Sequence, residues 1–155
     1  MTQAKTLTEH LATYQKSGAV AAQVAETIRN FVTAAITLEA QIADGFLAAE
    51  LCAEGESNVQ GEVQKRLDVI ANDCFLAAAR KSPVAWLLSE EFDQVMTINA
   101  NAPLAVAIDP LDGSSNIAIN STIGTIFAIY PADGGHAERS FLQPGSNLLA
   151  AGYFI

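Results

Sequence analysis

Apolar residues recur at spacings of three and four through Val20, Val24, Ile28, Phe31, Ala35, Leu38, Ile42 and Phe46, which predicts one long amphipathic helix. Ser17 stands where a helix N-cap belongs, and a shorter helix is expected over Thr8 to Gln15. The polar run Glu54-Gly55-Glu56-Ser57-Asn58 reads as a loop. A second amphipathic helix follows from about Gly61 to Lys81, with Val63, Leu67, Ile70 and Cys74 turned to the core.

After Pro83 the period changes. Short runs rich in branched residues (Val84 to Leu88, Val95 to Ile98, Leu104 to Ile108, Thr122 to Tyr130 and Leu148 to Ile155) alternate with turn residues and read as strands. Helices first and strands afterwards predict an α+β fold, a layered sandwich of N-terminal helices packed on a β-sheet. Trp86 and the strand aromatics are expected in the core. The apolar end, Ala150 to Ile155, fits a strand at the edge of a domain or a cut within a longer polypeptide.

The chain has 155 residues, one domain's worth, and half of them are hydrophobic, which excludes a disordered polypeptide. Seventeen Asp and Glu against eight Lys and Arg give a formal net charge of -9. That balance opposes binding to nucleic acid or to an anionic membrane surface. The longest charge-free stretch, Gly113 to Ala132, carries Ser114, Ser115, Asn116, Asn120, Ser121 and Thr122, too many polar groups for a membrane span. The N-terminus lacks the apolar core of a secretory signal, so a cytoplasmic protein with Cys52 and Cys74 reduced is the expectation.

Three acidic groups stand out against a background of only 16% charged residues. In Ile108-Asp109-Pro110-Leu111-Asp112-Gly113-Ser114-Ser115-Asn116, Asp109 sits where a predicted strand gives way to a turn. Pro110 biases Asp109 towards an extended backbone, a geometry that can aim both carboxylates and the Leu111 carbonyl at one point. Hard divalent cations such as Mg²⁺ take oxygen ligands of this kind. Gly113, Ser114 and Ser115 offer backbone N–H groups to a phosphate, the more so if a short helix begins there. The second group is Glu90-Glu91 at another strand end, where a turn is needed to bring both to one site. The third is Glu62, Lys65, Arg66 and Asp68 on the second helix, with Asn72 one turn beyond on its polar face. Taken singly, these are a tight turn, a solvated edge and a solvated helix face. His10 and His136 have no partners at ligand spacing and receive no role.

The string Asp109-Pro110-Leu111-Asp112-Gly113-Ser114-Ser115-Asn116-Ile117 closely resembles the signature of class I fructose-1,6-bisphosphatases. So do Asn58-Val59-Gln60-Gly61-Glu62-Val63-Gln64, Ser89-Glu90-Glu91, Gly124 to Tyr130, Phe141 to Gly145 and Ala150-Ala151-Gly152-Tyr153, all in the family's order. Related inositol monophosphatases share only the Asp-Pro-x-Asp-Gly plan. The resemblance implies the N-terminal domain of that family over the whole chain, with a mixed, largely antiparallel sheet. The family chain is about twice as long, and its C-terminal domain is absent from this one.

What the resemblance implies chemically is Mg²⁺-dependent hydrolysis of the 1-phosphate of fructose 1,6-bisphosphate, in gluconeogenesis or the Calvin cycle. Glu90, Glu91, Asp109, Asp112, Asp68 and the Leu111 carbonyl would hold Mg²⁺, with Mn²⁺ or Zn²⁺ as substitutes. Asp112, Gly113, Ser114 and Ser115 would bind the scissile phosphate, and Glu91 with Asp68 and Glu62 would activate water. The family forms homotetramers, so a homo-oligomer is expected. Sedoheptulose 1,7-bisphosphate is the alternative substrate, and a non-catalytic metal-binding or assembly fragment the alternative class. The isolated chain is expected to turn over weakly or not at all, because residues that grip the sugar lie in the missing half. Ser17-Gly18-Ala19, Pro103-Leu104 and Pro131 replace polar residues that hold AMP in many relatives, which predicts AMP insensitivity. Ala118 stands where the family usually has Asp.

Overall fold

The computed structural model describes residues 4–42, 57–119 and 121–155. The side chains of residues 57–65 and 117–119 lie outside that description.

Among the described residues, three α-helices precede a five-stranded sheet: α1 (Leu7–Tyr14), α2 (Ala19–Gln41), α3 (Ser57–Arg80), β1 (Val84–Ser89), β2 (Met96–Thr97), β3 (Leu104–Asp112), β4 (Gly124–Pro131) and β5 (Ala150–Phe154). The strand order is β2-β1-β3-β4-β5. Only β1 and β3 run parallel; the other three pairings are antiparallel. The architecture is the expected α+β sandwich.

A capping box starts α1. The Thr6 hydroxyl accepts from the Glu9 N–H (3.2 Å), and the Glu9 carboxylate accepts from the Thr6 N–H (2.9 Å). Ser17 is not the cap of α2. It closes the 3₁₀ turn Gln15–Ser17, donating its hydroxyl to the Tyr14 carbonyl at 2.6 Å, and Gly18 takes the cap position without a side-chain bond. α3 starts at Ser57, so Ser57 and Asn58 are helical rather than part of a loop. Phe46, Cys52 and Glu54 to Glu56 fall outside the described residues, as does the side chain of Val63.

The buried stripe of α2 is Ala21, Val24, Ala25, Thr27, Ile28, Phe31, Ala34 and Leu38, whereas Val20 is exposed. Alanines share the stripe with larger residues because small side chains let α2 lie close to its neighbours. Thr27 is tolerated there because its hydroxyl donates to the Gln23 carbonyl (3.0 Å). Phe31 meets Phe75 of α3 and Phe127 of β4 edge to face, with ring centroids 5.5 and 5.7 Å apart. Phe127 also stacks on Phe154 of β5 at 5.3 Å, so one aromatic cluster ties both long helices to two strands.

Phe127 and Ile129 face the helices, so strand alternation turns Ile126 and Ala128 to the opposite face. Part of that outer face is covered. Trp86, Ala85 and Ala105 form a buried cluster under Val95, Tyr130, Ala137 and Phe141. The remainder is an open cleft of about 860 Å³ over Leu88, Ala107, Ile126, Ala128 and Tyr153, bordered by Glu90 and Asp109. No described helix is long and apolar enough to cross a membrane. Cys74 is half-buried and donates its thiol to the Gln41 side chain at 3.7 Å; burial raises its pKa, away from thiolate reactivity.

Candidate active site

The lone parallel pairing explains why the acidic groups gather. Parallel strands end on the same side of a sheet, where open α/β sheets place their ligands. Ser89 lies opposite Ile108, and the Glu90 N–H donates to the Ile108 carbonyl at 3.0 Å. Glu90 and Glu91 therefore leave β1 beside Asp109 of β3. A turn closed by the Phe92 N–H on the Ser89 carbonyl (3.2 Å) breaks the alternation that would otherwise send the two glutamates to opposite faces.

Ser89 fixes that turn from below. Its buried hydroxyl donates to Asn72 Oδ1 on α3 (2.8 Å) and accepts from the Glu91 N–H (3.3 Å). Asn72 is thus a buried anchor and not part of a solvated helix face. One turn earlier on α3, Asp68 bonds Ser114 and stands within electrostatic range of Asp109 and Glu91.

The signature segment departs from expectation. β3 does not end at Ile108 but continues through Asp112, and Asp109 pairs with Ile126 and Asp112 with Gly124. Three steps on β3 thus face two on β4, which makes a β-bulge with one extra residue. In a regular strand, residues three apart point to opposite faces. The bulge cancels that, and Asp109 and Asp112 emerge on the same face as Ile126 and Gly124. Pro110 tolerates this position because a bulge residue needs no ladder N–H. It is buried, and its carbonyl accepts from the Thr125 hydroxyl at 2.9 Å. The Leu111 N–H donates to Asp109 Oδ1 (3.1 Å), while the Leu111 side chain is buried in the core.

Beyond the bulge Gly113 takes φ +79°, a left-handed conformation that suits glycine, and a 3₁₀ helix spans Ser114–Ile119. A short helix thus does begin at Ser114, and it is of the tighter kind. Ser115 is exposed and Ser114 half-buried. Glu62 belongs to α3, and its side chain lies outside the described part.

Electrostatics bind the acidic groups into one system. Partial burial raises the Asp109 pKa to about 6, assisted by a hydrogen bond shared with Glu90 and by repulsion from Glu90 and Asp112, against the opposing Leu111 N–H. Burial, then the charge of Asp109, raises Asp68 although its bond to Ser114 opposes the shift. Burial followed by repulsion from Asp68 and Asp109 raises Glu91. Among the described residues, no three of these side chains stand close enough to enclose an ion. The donor chemistry, oxygen only and short of positive charge, fits a hard divalent cation.

Three contributors, Asn72, Ser89 and Tyr153, stand in the sequence motifs without a role at the site. Asn72 and Ser89 were hidden by their ordinary polarity. Tyr153 of β5 donates its phenol to Asp112 Oδ2 at 3.1 Å across 41 positions of chain, a distance no local pattern spans.

Residues 5–155 match the family described as fructose-1-6-bisphosphatase, N-terminal domain. The chain belongs to the fructose-1,6-bisphosphatase family. Its sequence is 50% identical over 135 residues to a class 1 fructose-1,6-bisphosphatase of Methylorubrum extorquens strain PA1, covering 86% of this chain and 39% of that protein. A class 1 relative from Bradyrhizobium sp. strain BTAi1 is 46% identical over 155 residues, covering the whole chain and 43% of the relative. The fructose-1,6-bisphosphatase of Leishmania major in holo form superimposes with a TM-score of 0.67 at 25% identity, over 84% of this chain and 42% of that one. The chain therefore spans less than half the length of these fructose-1,6-bisphosphatases.

Proposed function

We propose that this chain supplies the metal and scissile-phosphate half of an active site that hydrolyses the 1-phosphate of fructose 1,6-bisphosphate, giving fructose 6-phosphate and phosphate. The observation that carries the reading is the gathering of Asp68 on α3, Glu91 in the turn after β1 and Asp109 before the bulge of β3, within electrostatic range of one another, in a chain of this family. Such a cluster calls for a cation. Asp68, Glu90, Glu91, Asp109, Asp112 and the Leu111 carbonyl would hold Mg²⁺, which when bound would screen the phosphoryl charge and acidify water. Glu91, aided by Asp68 and Glu62, orients the attacking water and takes its proton. Gly113, Ser114 and Ser115 hold the phosphate with backbone N–H groups and the Ser115 hydroxyl. Because the sheet's open cleft borders Glu90 and Asp109, the sugar approaches over the outer face.

The test is Mg²⁺-dependent phosphate release from fructose 1,6-bisphosphate, with sedoheptulose 1,7-bisphosphate and inositol phosphate alongside. The 155-residue chain is expected to bind Mg²⁺ and release phosphate slowly, with a chelator abolishing release. Faster release from the seven-carbon substrate would transfer the assignment to sedoheptulose bisphosphate. Absence of both metal binding and release would overturn the reading.

AMP is expected to leave that activity unchanged. The register sets Leu104, fully buried, directly opposite Pro131, so two of the positions that replace polar residues are sheet neighbours with no side-chain donor between them. Half-inhibition by micromolar AMP in the same assay would contradict this.

A further inference from the structure

The bulge leaves Asp112 opposite Gly124, and Gly124 lies two residues from Ile126, the partner of Tyr153 on β5. Tyr153, Gly124 and Asp112 thus run diagonally across three strands on one face. A Cβ at Gly124 would run into the Phe154 carbonyl oxygen and would also stand 2.7 Å from Tyr153 Cζ and 2.8 Å from Cε1. The phenol ring therefore lies over the missing side chain, and its hydroxyl reaches Asp112 Oδ2 at 3.1 Å. Two separate observations, a hydrogen bond and a glycine whose bare surface makes room for both the β5 backbone and the ring, describe one arrangement.

We propose that Tyr153 is a positioning residue for Asp112, its phenol holding Oδ2 from β5 and leaving Oδ1 to the cation. The proposal rests on the metal reading above. A carboxylate with one oxygen tied down loses little rotational freedom when it takes a ligand, and partners of this kind commonly contribute about 10- to 100-fold in metal affinity. Gly124 is the permissive element: any larger residue there displaces the ring or the strand.

Mn²⁺ binding by the whole 155-residue chain, followed by calorimetry and by the ion's spin resonance, tests this in four proteins. They are the unaltered chain, Tyr153→Phe, Asp112→Ala and Asp112→Ala/Tyr153→Phe. Tyr153→Phe keeps the ring over Gly124, so its metal-free melting temperature should stay close to that of the unaltered chain. Its Mn²⁺ affinity should fall about tenfold, and Tyr153→Phe should add nothing once Asp112 is alanine. Unchanged affinity in Tyr153→Phe, an equal loss in the Asp112→Ala background, or a loss matched by collapse of the metal-free melt would each overturn the proposal alone. Failure of the unaltered chain to bind Mn²⁺ would overturn the metal reading and this proposal with it.

Discussion

Asp109→Asn is expected to make the metal-free chain more stable while removing its metal-dependent chemistry. Asp109 carries a pKa raised to about 6, first by burial and then by Glu90 and Asp112. A folded-state pKa above the unfolded value means that the folded state holds the proton more tightly, so ionisation at neutral pH works against folding. That penalty is complete above about pH 6 and is relieved as the pH falls towards the ordinary carboxylate range near 3.8. Asp68 and Glu91 are shifted in the same direction and add to the trend. Melting temperature in the presence of a chelator should therefore rise as pH is lowered from 7 to 5, and Asp109→Asn should be higher at pH 7 and flatter with pH. In the phosphate-release assay the same variant should be slower by about 10²- to 10³-fold, the usual loss on removing one preorganised electrostatic group. A variant that melts lower than the unaltered chain at pH 7 without metal would show that Asp109 serves the fold and not the site.

Gly152→Ala is expected to cost stability without touching a single acidic residue. A Cβ at Gly152 would lie 2.6 Å from Phe127 Cζ and 2.7 Å from Cε1. Phe127 has nowhere to retreat, since its ring is wedged between Phe31 and Phe154. Overfilling a packed core in this way costs about 1–3 kcal/mol, and each kcal/mol lowers the melting temperature of a chain this size by roughly 2–4 °C. Thermal melts of Gly152→Ala, Phe127→Leu and the double variant check it. The double variant should lose less than the sum of the two, because the smaller leucine makes room for the new methyl. Strict additivity would mean that the two positions do not meet.

Much of this fold was legible because burial follows periodicity. Val24, Ile28, Phe31 and Leu38 all lie in the core as their spacing requires. The misplaced parts have local causes. Val20 is apolar and in phase yet exposed, while Ala21 and Ala34, too small to catch the eye, are buried. The predicted end of β3 at Ile108 followed from the turn-forming habits of Asp, Pro and Gly, which a bulge overrides by hydrogen-bonding Pro110 through its carbonyl alone. The acidic site was visible as three unusual clusters, and the family resemblance told what such clusters do. Its support was not visible: the Ser89–Asn72 bond spans 17 positions and the Tyr153–Asp112 bond 41, and each depends on which strands become neighbours.

The wide spacing of those contacts has a consequence for how the chain acquires its shape. Helical turns close over a few residues, whereas each antiparallel pairing after β3 must first confine a connection, residues 113–123 before β4 and the longer 132–149 before β5. Asp112 gains its Tyr153 partner only when β5 has docked, so the complete acidic site cannot exist before β4 and β5 have paired. A ligand that recognises only the finished site cannot hasten the steps before it. It can only hold the product, and its effect falls on the rate of unfolding.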